Sequence, residues 1–299
     1  MSPPLFDDRG RSALAGETDA DGASAALAEF IAAHPKLFVL TGAGISTRSG
    51  IPAYRDAAGN WQRSAPITHQ QFVGNPAMRR RYWARSMLGW PVIARAEPNG
   101  AHRALARLQD AGRIATLVTQ NVDGLHQAAG STGVIELHGS LHRVTCLDCG
   151  GSEARAAIQM LLEGGNHALM AHAQMSAVAA PDGDAHLDSG YDAFEIPPCP
   201  GCGGTLMPDV VFFGGNIPRA RVEAANAALD AADALLVVGS SLAVYSGYRL
   251  CERARAAGKP IVAVNRGVTR ADPLLTLKVD ADCADALEAA SRQFAAVAR

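Results

Sequence analysis

Runs of apolar residues without alternation recur along the chain, separated by stretches with helical spacing. "KLFVL" (36–40), "IATLVT" (114–119), "ALLVVGS" (234–240) and "PIVAVN" (260–265) lack the period-two pattern of a half-exposed strand. They predict strands covered on both faces, as in a parallel sheet. Helices are predicted over 24–33, with Ser24 as N-cap, and over 101–109, 219–231, 247–257 and 284–296. Strands alternating with helices predict an α/β fold, a Rossmann-like doubly wound parallel sheet. Between Cys149 and Cys199 a helix-like stretch runs into irregular sequence, and strand-like sequence resumes at "LMPDVVFF" (206–213). The expected organisation is a disordered segment over 1–23, a Rossmann-like domain from 24–140 and 206–299, and a small module inserted at 141–205.

Composition narrows the function classes. The 299 residues are 48% hydrophobic and 19% charged, enough for a sizeable core. A net charge of -2 and a pI near 6.5 give no electrostatic footprint for tight nucleic-acid binding, which normally needs a clustered basic surface, so no nucleic-acid partner is expected. The short basic run "MRRRYWAR" (78–85) reads as a solvated helix face. No window reaches the roughly 18 consecutive apolar residues of a membrane span. The N-terminus has no apolar signal region and too many acidic residues for a transit peptide. A cytoplasmic protein of bacterial composition, rich in Ala, Gly and Arg, is expected.

Four of the six cysteines form two C-x-x-C pairs, Cys146 with Cys149 and Cys199 with Cys202. Two such knuckles can place four thiolates tetrahedrally around one Zn²⁺, and with no open position that zinc is structural. The inserted module is therefore expected to be zinc-binding. Cys251 and Cys283 stand alone and read as packing residues.

Candidate ligand contacts fall in loops that come after strands. In "TGAGISTRSGIPAYR" (41–55), Gly42, Ala43 and Gly44 let backbone N–H groups approach a pyrophosphate, yet Thr47 stands where a G-x-G-x-x-G fingerprint has its third glycine. "TQNVD" (119–123) offers Gln120, Asn121 and Asp123 to ribose hydroxyls and a carboxamide, and "ELHGS" (136–140) places His138 at another strand end. "GSSLAVYSGY" (239–248) and "NRG" (265–267) complete four polar loops that outline one dinucleotide-sized cleft.

These residues carry a resemblance. "TGAGIS", "GIPAYR", "TQNVD", "LHG", the two C-x-x-C pairs, "DVVFFG" and "GSSL" occur in the order seen in sirtuins, and the resemblance covers about residues 24–290. "RRRYWARSMLGWP", "CLDCG", "APDGD", "VVGSSLAVYSGYR" and "GVTRAD" resemble the class II sirtuins, the lineage of the fourth human, mitochondrial member.

The resemblance implies an NAD-dependent protein-lysine deacylase that consumes NAD as a co-substrate, alongside one structural zinc. The acyl oxygen of a modified lysine attacks C1′ as nicotinamide leaves, His138 acts as general base on a ribose hydroxyl, and lysine and 2′-O-acyl-ADP-ribose result. Acyl-lysine-bearing proteins are the implied partners. Motif matching implies that Gln120, Asn121 and Val122 contact the ribose side, that Asp123 holds the carboxamide, and that Ser46, Asn121 and Arg55 organise the reacting end. Gly42, Ala43, Gly44, Gly239, Ser240 and Ser241 surround the phosphates, Asn265, Arg266, Gly267 and Cys283 the adenosine half. Gln62 is a further cofactor contact, and Val211 and Phe212 contact the substrate. The stretch through "STRSGIPAYR" is then expected to be a mobile loop over the ribose, which explains the missing third glycine.

Ala53 and Gly215 stand where the family usually has acidic residues. An ADP-ribosyltransferase and a non-catalytic NAD- or ADP-ribose-binding zinc ribbon are the competing readings. If "RYWAR" is helical, Tyr82 and Arg85 lie three residues apart and could together receive a carboxylate, as a similar spacing does in sirtuins that remove acidic acyl groups. The alternative is a solvated helix with Tyr82 in the core.

Overall fold

The structure is a computed structural model that describes residues 20–53, 66–167, 169 and 191–294. Its main sheet has six parallel strands in the order β3 (Ile135–Glu136), β2 (Ile114–Thr119), β1 (Leu37–Thr41), β7 (Ala234–Val238), β8 (Ile261–Val264) and β9 (Leu277–Val279). The predicted parallel sheet is thus present, with Leu37 to Thr41 in register with Ala234 to Val238 on one side and with β2 on the other.

The unbroken apolar runs are explained by burial on both faces. Leu37 and Val39 pack with Leu236, Val238 and Val262 against α1 (Ala20–Ala33), α4 (Gly100–Asp110) and α9 (Cys283–Ser291). Phe38 and Leu40 point the other way, with Leu235 and Val237, onto α7 (Arg219–Ala231) and α8 (Tyr245–Ala256). Alternation across a strand sends neighbouring side chains to opposite faces, so a strand with two covered faces reads as continuously apolar. In α4, Ala101, Ala104, Leu105 and Leu108 are buried at helical spacing, and the Asn99 side chain caps its start by accepting from the Ala101 N–H at 2.9 Å.

Helix α1 begins earlier than its sequence suggests: Ser24, expected as N-cap, lies inside the helix. Residues 1–19 of the segment expected to be disordered lie outside the described residues, and Ala20 onward is helical.

A second, antiparallel sheet sets β4 (Gly139–Cys146) between β5 (Ser152–Ala154) and β6 (Leu206–Val210). Its core joins Val144, Cys146, Leu206 and Phe212 to Ile158 and Leu162 of α6 (Arg155–Gly165). The same cluster takes Phe72 from α2 (His69–Gly74) and Tyr82, Trp83 and Met87 from α3 (Pro76–Arg95). The smaller lobe therefore draws on residues 67–88 as well as the inserted segment. Among the described residues, no helix is long and apolar enough to cross a membrane.

Candidate active site

The strand order reverses at β1: β2 lies on one side of it and β7 on the other. Ligands of open parallel sheets bind at such a point, beyond the carboxyl ends of the strands. A cleft of about 850 Å³ opens there, lined by residues of all four predicted loops together with Val210 to Gly215 from the smaller lobe.

Gly42 to Gly44 leave β1 and pass directly over Gly239 at the end of β7, where the Gly44 N–H donates to the Gly239 carbonyl at 2.8 Å. Gly239 has φ +61°, and a Cβ there would lie 2.3 Å from the Ile45 nitrogen. Gly239→Ala is expected to lower stability by more than about 1 kcal/mol and to weaken NAD binding, because it opposes both the conformation and the crossing of the two loops. Thermal denaturation with and without NAD checks this; an unchanged melting temperature counts against it.

The loop does without a third glycine because Ala43–Ser49 is a 3₁₀ helix, not the α-helix of an ordinary dinucleotide fingerprint. The third glycine normally lets that α-helix pack closely on its strand. Here Thr47 is exposed, and its hydroxyl donates to the Gly44 carbonyl at 3.0 Å. Arg48 ties the same turn to α9 through Asp282 and Asp285 at 3.0 and 2.6 Å. Arg55 and Gln62 lie outside the described residues, whereas Ser46 to Ala53 of the loop expected to be mobile are described.

At the reacting end, Ser46 donates to Asp123 Oδ2 at 2.8 Å, and Asn121 Nδ2 donates to Ser46 Oγ at 3.1 Å and the Gly42 carbonyl at 3.2 Å. Asp123 also accepts from the Leu125 N–H at 3.0 Å. Burial raises its pKa, against the lowering effect of those hydrogen bonds. Gln120 Nε2 donates to Ser240 Oγ at 2.9 Å and so bridges the β2 and β7 loops.

Below them the Thr41 hydroxyl donates to Thr119 Oγ1 and accepts from Nε2 of His126 in α5 (Leu125–Ala128), each at 2.8 Å. Burial pushes the pKa of His126 down to about 3 and that of its neighbour His102 to about 4, so both stay neutral. This buried support is not legible in the sequence, where lone histidines and threonines carry no distinguishing pattern.

His138 is half-buried between β3 and β4. Nδ1 faces the Gln120 carbonyl at 2.9 Å and Nε2 faces Ser246 Oγ at 2.8 Å. A carbonyl only accepts, so Nδ1 carries the proton and Nε2 is the basic nitrogen. Burial lowers the His138 pKa, and Arg249 and Arg221 push in the same direction against the Gln120 contact. The imidazole is thus neutral and able to take a proton at neutral pH. The Val211 N–H donates to the His138 carbonyl at 2.8 Å, setting the substrate-side candidates Val211 and Phe212 beside it.

Of the residues expected around the adenosine half, Asn265, Arg266 and Cys283 line the cleft and Gly267 is not among its lining residues. Cys283 Sγ donates to the Val264 carbonyl at 3.6 Å, and burial drives its pKa up to about 12, as fits a packing thiol. Ala53 and Gly215 both line the cleft.

Of the Tyr82 and Arg85 pair, Tyr82 is the member that lines the cleft. Tyr82 lies in the cleft wall, its ring edge-on to Phe72 and Phe212 at 5.3 and 5.1 Å, whereas Arg85 is not among the lining residues. The Tyr82 ring packs into the aromatic cluster of the smaller lobe, as the core reading expects. Arg155, buried over the rings of Trp83 and Trp90, is a cation whose charge interacts with Tyr82.

In the smaller lobe, the four sulfurs of Cys146, Cys149, Cys199 and Cys202 lie within 4.8 Å of one another. Cys146 and Cys202 are 3.6 Å apart, Cys149 and Cys199 3.9 Å. A tetrahedron with Zn–S bonds of about 2.3 Å has edges of about 3.8 Å. Backbone N–H groups of Asp148, Gly151 and Gly204 donate to Cys146, Cys149 and Cys202, each at 3.4 Å, an arrangement that favours thiolates. The cluster fits a structural zinc.

Known proteins share these features. Residues 42–246 match the Sir2 family. The chain is 56% identical over 263 residues to an NAD-dependent protein deacetylase of Xanthomonas campestris pv. campestris strain 8004, covering 88% of this chain and 89% of the relative. It is 52% identical to NAD-dependent protein deacetylase 2 of Bradyrhizobium diazoefficiens, covering 89% and 96%. A solved structure described as Sir2 with a p53 peptide and NAD+ is similar with TM-score 0.69 and 31% identity, covering 88% and 94%.

Proposed function

This chain belongs to the Sir2 family, and from that premise we propose how its cleft works. The protein is an NAD-dependent protein deacetylase that acts on acyl-lysine in protein substrates. NAD, consumed as co-substrate, supplies the electrophilic ribose carbon that receives the acyl oxygen. The observation that carries the assignment of roles is His138: a neutral imidazole with its basic nitrogen in the cleft, held by the Gln120 carbonyl.

His138 takes a proton from a ribose hydroxyl. Asp123, oriented by Ser46 and the Leu125 N–H, holds the carboxamide, and Asn121 fixes Ser46 from the other side. Gly42, Ala43, Gly44, Gly239, Ser240 and Ser241 receive the phosphates, with Val122 and Gln120 against the ribose. Asn265, Arg266 and Cys283 serve the adenosine half, Gly267 follows Arg266 in the same motif, and motif match makes Arg55 and Gln62 further cofactor contacts. Val211 and Phe212 contact the acyl-lysine side. The division into an NAD-binding domain and a zinc module, the class II assignment supported by "VVGSSLAVYSGYR" and "GVTRAD", a cytoplasmic location, and no direct dealing with nucleic acid or membrane belong to the same reading.

Nicotinamide release measured with and without acetylated peptide tests it. Release that depends on the peptide and yields equal free lysine is expected; release without peptide, or none with it, overturns it. For the acyl group, the packing of Tyr82 into the aromatic cluster of the cleft wall supports acetyl over acidic chains. Arg85→Met is expected to change turnover on acetyl- and glutaryl-lysine peptides by less than about 2-fold, whereas a lost hydrogen bond to a charged group would cost about 1.5–3 kcal/mol. A selective loss on the glutaryl peptide restores the acidic-pocket reading.

A further inference from the structure

His138 has no free nitrogen. A neutral imidazole offers one donor and one acceptor. The donor, Nδ1–H, is spent on the Gln120 carbonyl at 2.9 Å, and the acceptor, Nε2, lies 2.8 Å from Ser246 Oγ, which must then donate its proton. Ser246 lines the same cleft as His138. A substrate hydroxyl can therefore reach Nε2 only by displacing Ser246 or by working through it.

The packing holds the backbone that presents Ser246 to His138. Ser246 lies in the first turn of α8, and the next residue, Gly247, lies so close to Gln120 that a Cβ there would be 2.6 Å from Oε1. Gln120 itself is held by Ser240 and by the Thr41 carbonyl at 3.2 Å. The residue whose carbonyl orients His138 thus also fixes the start of the helix that carries Ser246. The first turn of a 12-residue helix also favours developing negative charge on a hydroxyl oxygen. The cationic groups acting on His138 are Arg249 of α8 and Arg221 of α7, and Arg221 is already paired with Asp209 at 3.1 Å.

We propose that Ser246 is the proton relay of His138: its Oγ accepts the proton of the substrate's ribose hydroxyl while its own proton passes to Nε2. One O–H bond breaks on the substrate and one on Ser246. One O–H bond forms on Ser246 and one N–H bond on Nε2, so serine is unchanged, the imidazole becomes imidazolium, and the substrate oxygen is left as the nucleophile. The proposal rests on the reading of His138 as the base.

The test uses the full-length chain with Ser246→Ala, Ser246→Thr and His138→Ala. In the substrate-free protein, imidazole ¹⁵N resonances report whether Nε2 accepts a hydrogen bond; Ser246→Ala is expected to move the Nε2 signal and leave Nδ1 in place. With substrates, nicotinamide exchange reports bond cleavage before the base step, and deacetylated product reports the whole reaction. Ser246→Ala is expected to lose roughly 10- to 100-fold in product formation, toward the range of general-base catalysis, with NAD affinity and exchange kept and Ser246→Thr restoring most of the loss. A Nε2 signal that does not move, product formation at the parent rate, or equal losses in exchange and product each overturn the relay. If His138→Ala itself turns over at the parent rate, the assignment of the base fails instead, and the relay falls with it.

Discussion

Replacing Cys199 with Ser, or stripping the metal with a chelator, is expected to unfold the smaller lobe and abolish turnover together. Cys146 and Cys199 are buried in the same hydrophobic cluster as Phe72, Tyr82, Trp83 and Phe212. The metal therefore closes a core as well as two knuckles. Structural zinc in small peptides is worth about 10–16 kcal/mol of apparent binding free energy near pH 7, comparable to the roughly 5–15 kcal/mol of net stability of a typical protein. The cleft wall from Val210 to Gly215 belongs to this lobe, so damage to the cluster reaches the substrate side without touching the NAD loops. Zinc content by elemental analysis, circular dichroism and NAD binding distinguish the two. Protein with less than about half an equivalent of zinc that still folds and turns over contradicts the structural role.

The second large effect is on chemistry alone. His138→Ala is expected to reduce deacetylation by roughly 10²–10⁴-fold, the usual worth of a general base, and to leave NAD affinity nearly unchanged, since the phosphate loops do not depend on the imidazole. The same histidine sets the acid limb of the pH profile. Its conjugate acid is destabilised by burial first, then by Arg249 and Arg221, so the base form persists below the ordinary histidine value of 6.5. Activity should hold through neutral pH and fall only on the acid side of that value, as protonation removes the Nε2 lone pair. A profile that declines already above the ordinary value, or one unchanged by His138→Ala, disagrees with the assignment.

The parts of this protein that are legible in the sequence share a physical cause. Strands β1, β7 and β8 are buried along their whole length, which leaves a continuous hydrophobic run for each, and β2 is buried from Leu117 to Thr119 with Ala115 exposed. Four cysteines in two short-spaced pairs have little else to do in a chain of this kind. By contrast β5 and β9 are three-residue strands, too short to show a period. Helix α3 combines "RRR" with a buried Tyr82 and Trp83, so its charge suggests a solvated face while its aromatics build a core. That conflict is why spacing alone leaves both readings of Tyr82 open, the carboxylate pair with Arg85 and the core residue. Ser246 falls inside the motif "GSSLAVYSGY" with nothing in the sequence to give it a function, because its distance to His138 arises only when α8 closes on the β3 to β4 turn.

The central position of β1 has a consequence for how the chain is made. Leu37 to Thr41 is wholly buried and largely apolar, flanked by β2 on one side and by β7 on the other. On a ribosome β2 emerges within the next eighty or so residues, but β7 emerges about 200 residues after β1, which at roughly 5–20 residues per second is about 10–40 s. For that interval one edge of this strand presents open N–H and C=O groups, the template that drives edge-to-edge association. The geometry that brings two distant loops together over a nucleotide thus leaves an open strand edge on the nascent chain, and slow, cool expression is expected to raise its soluble yield.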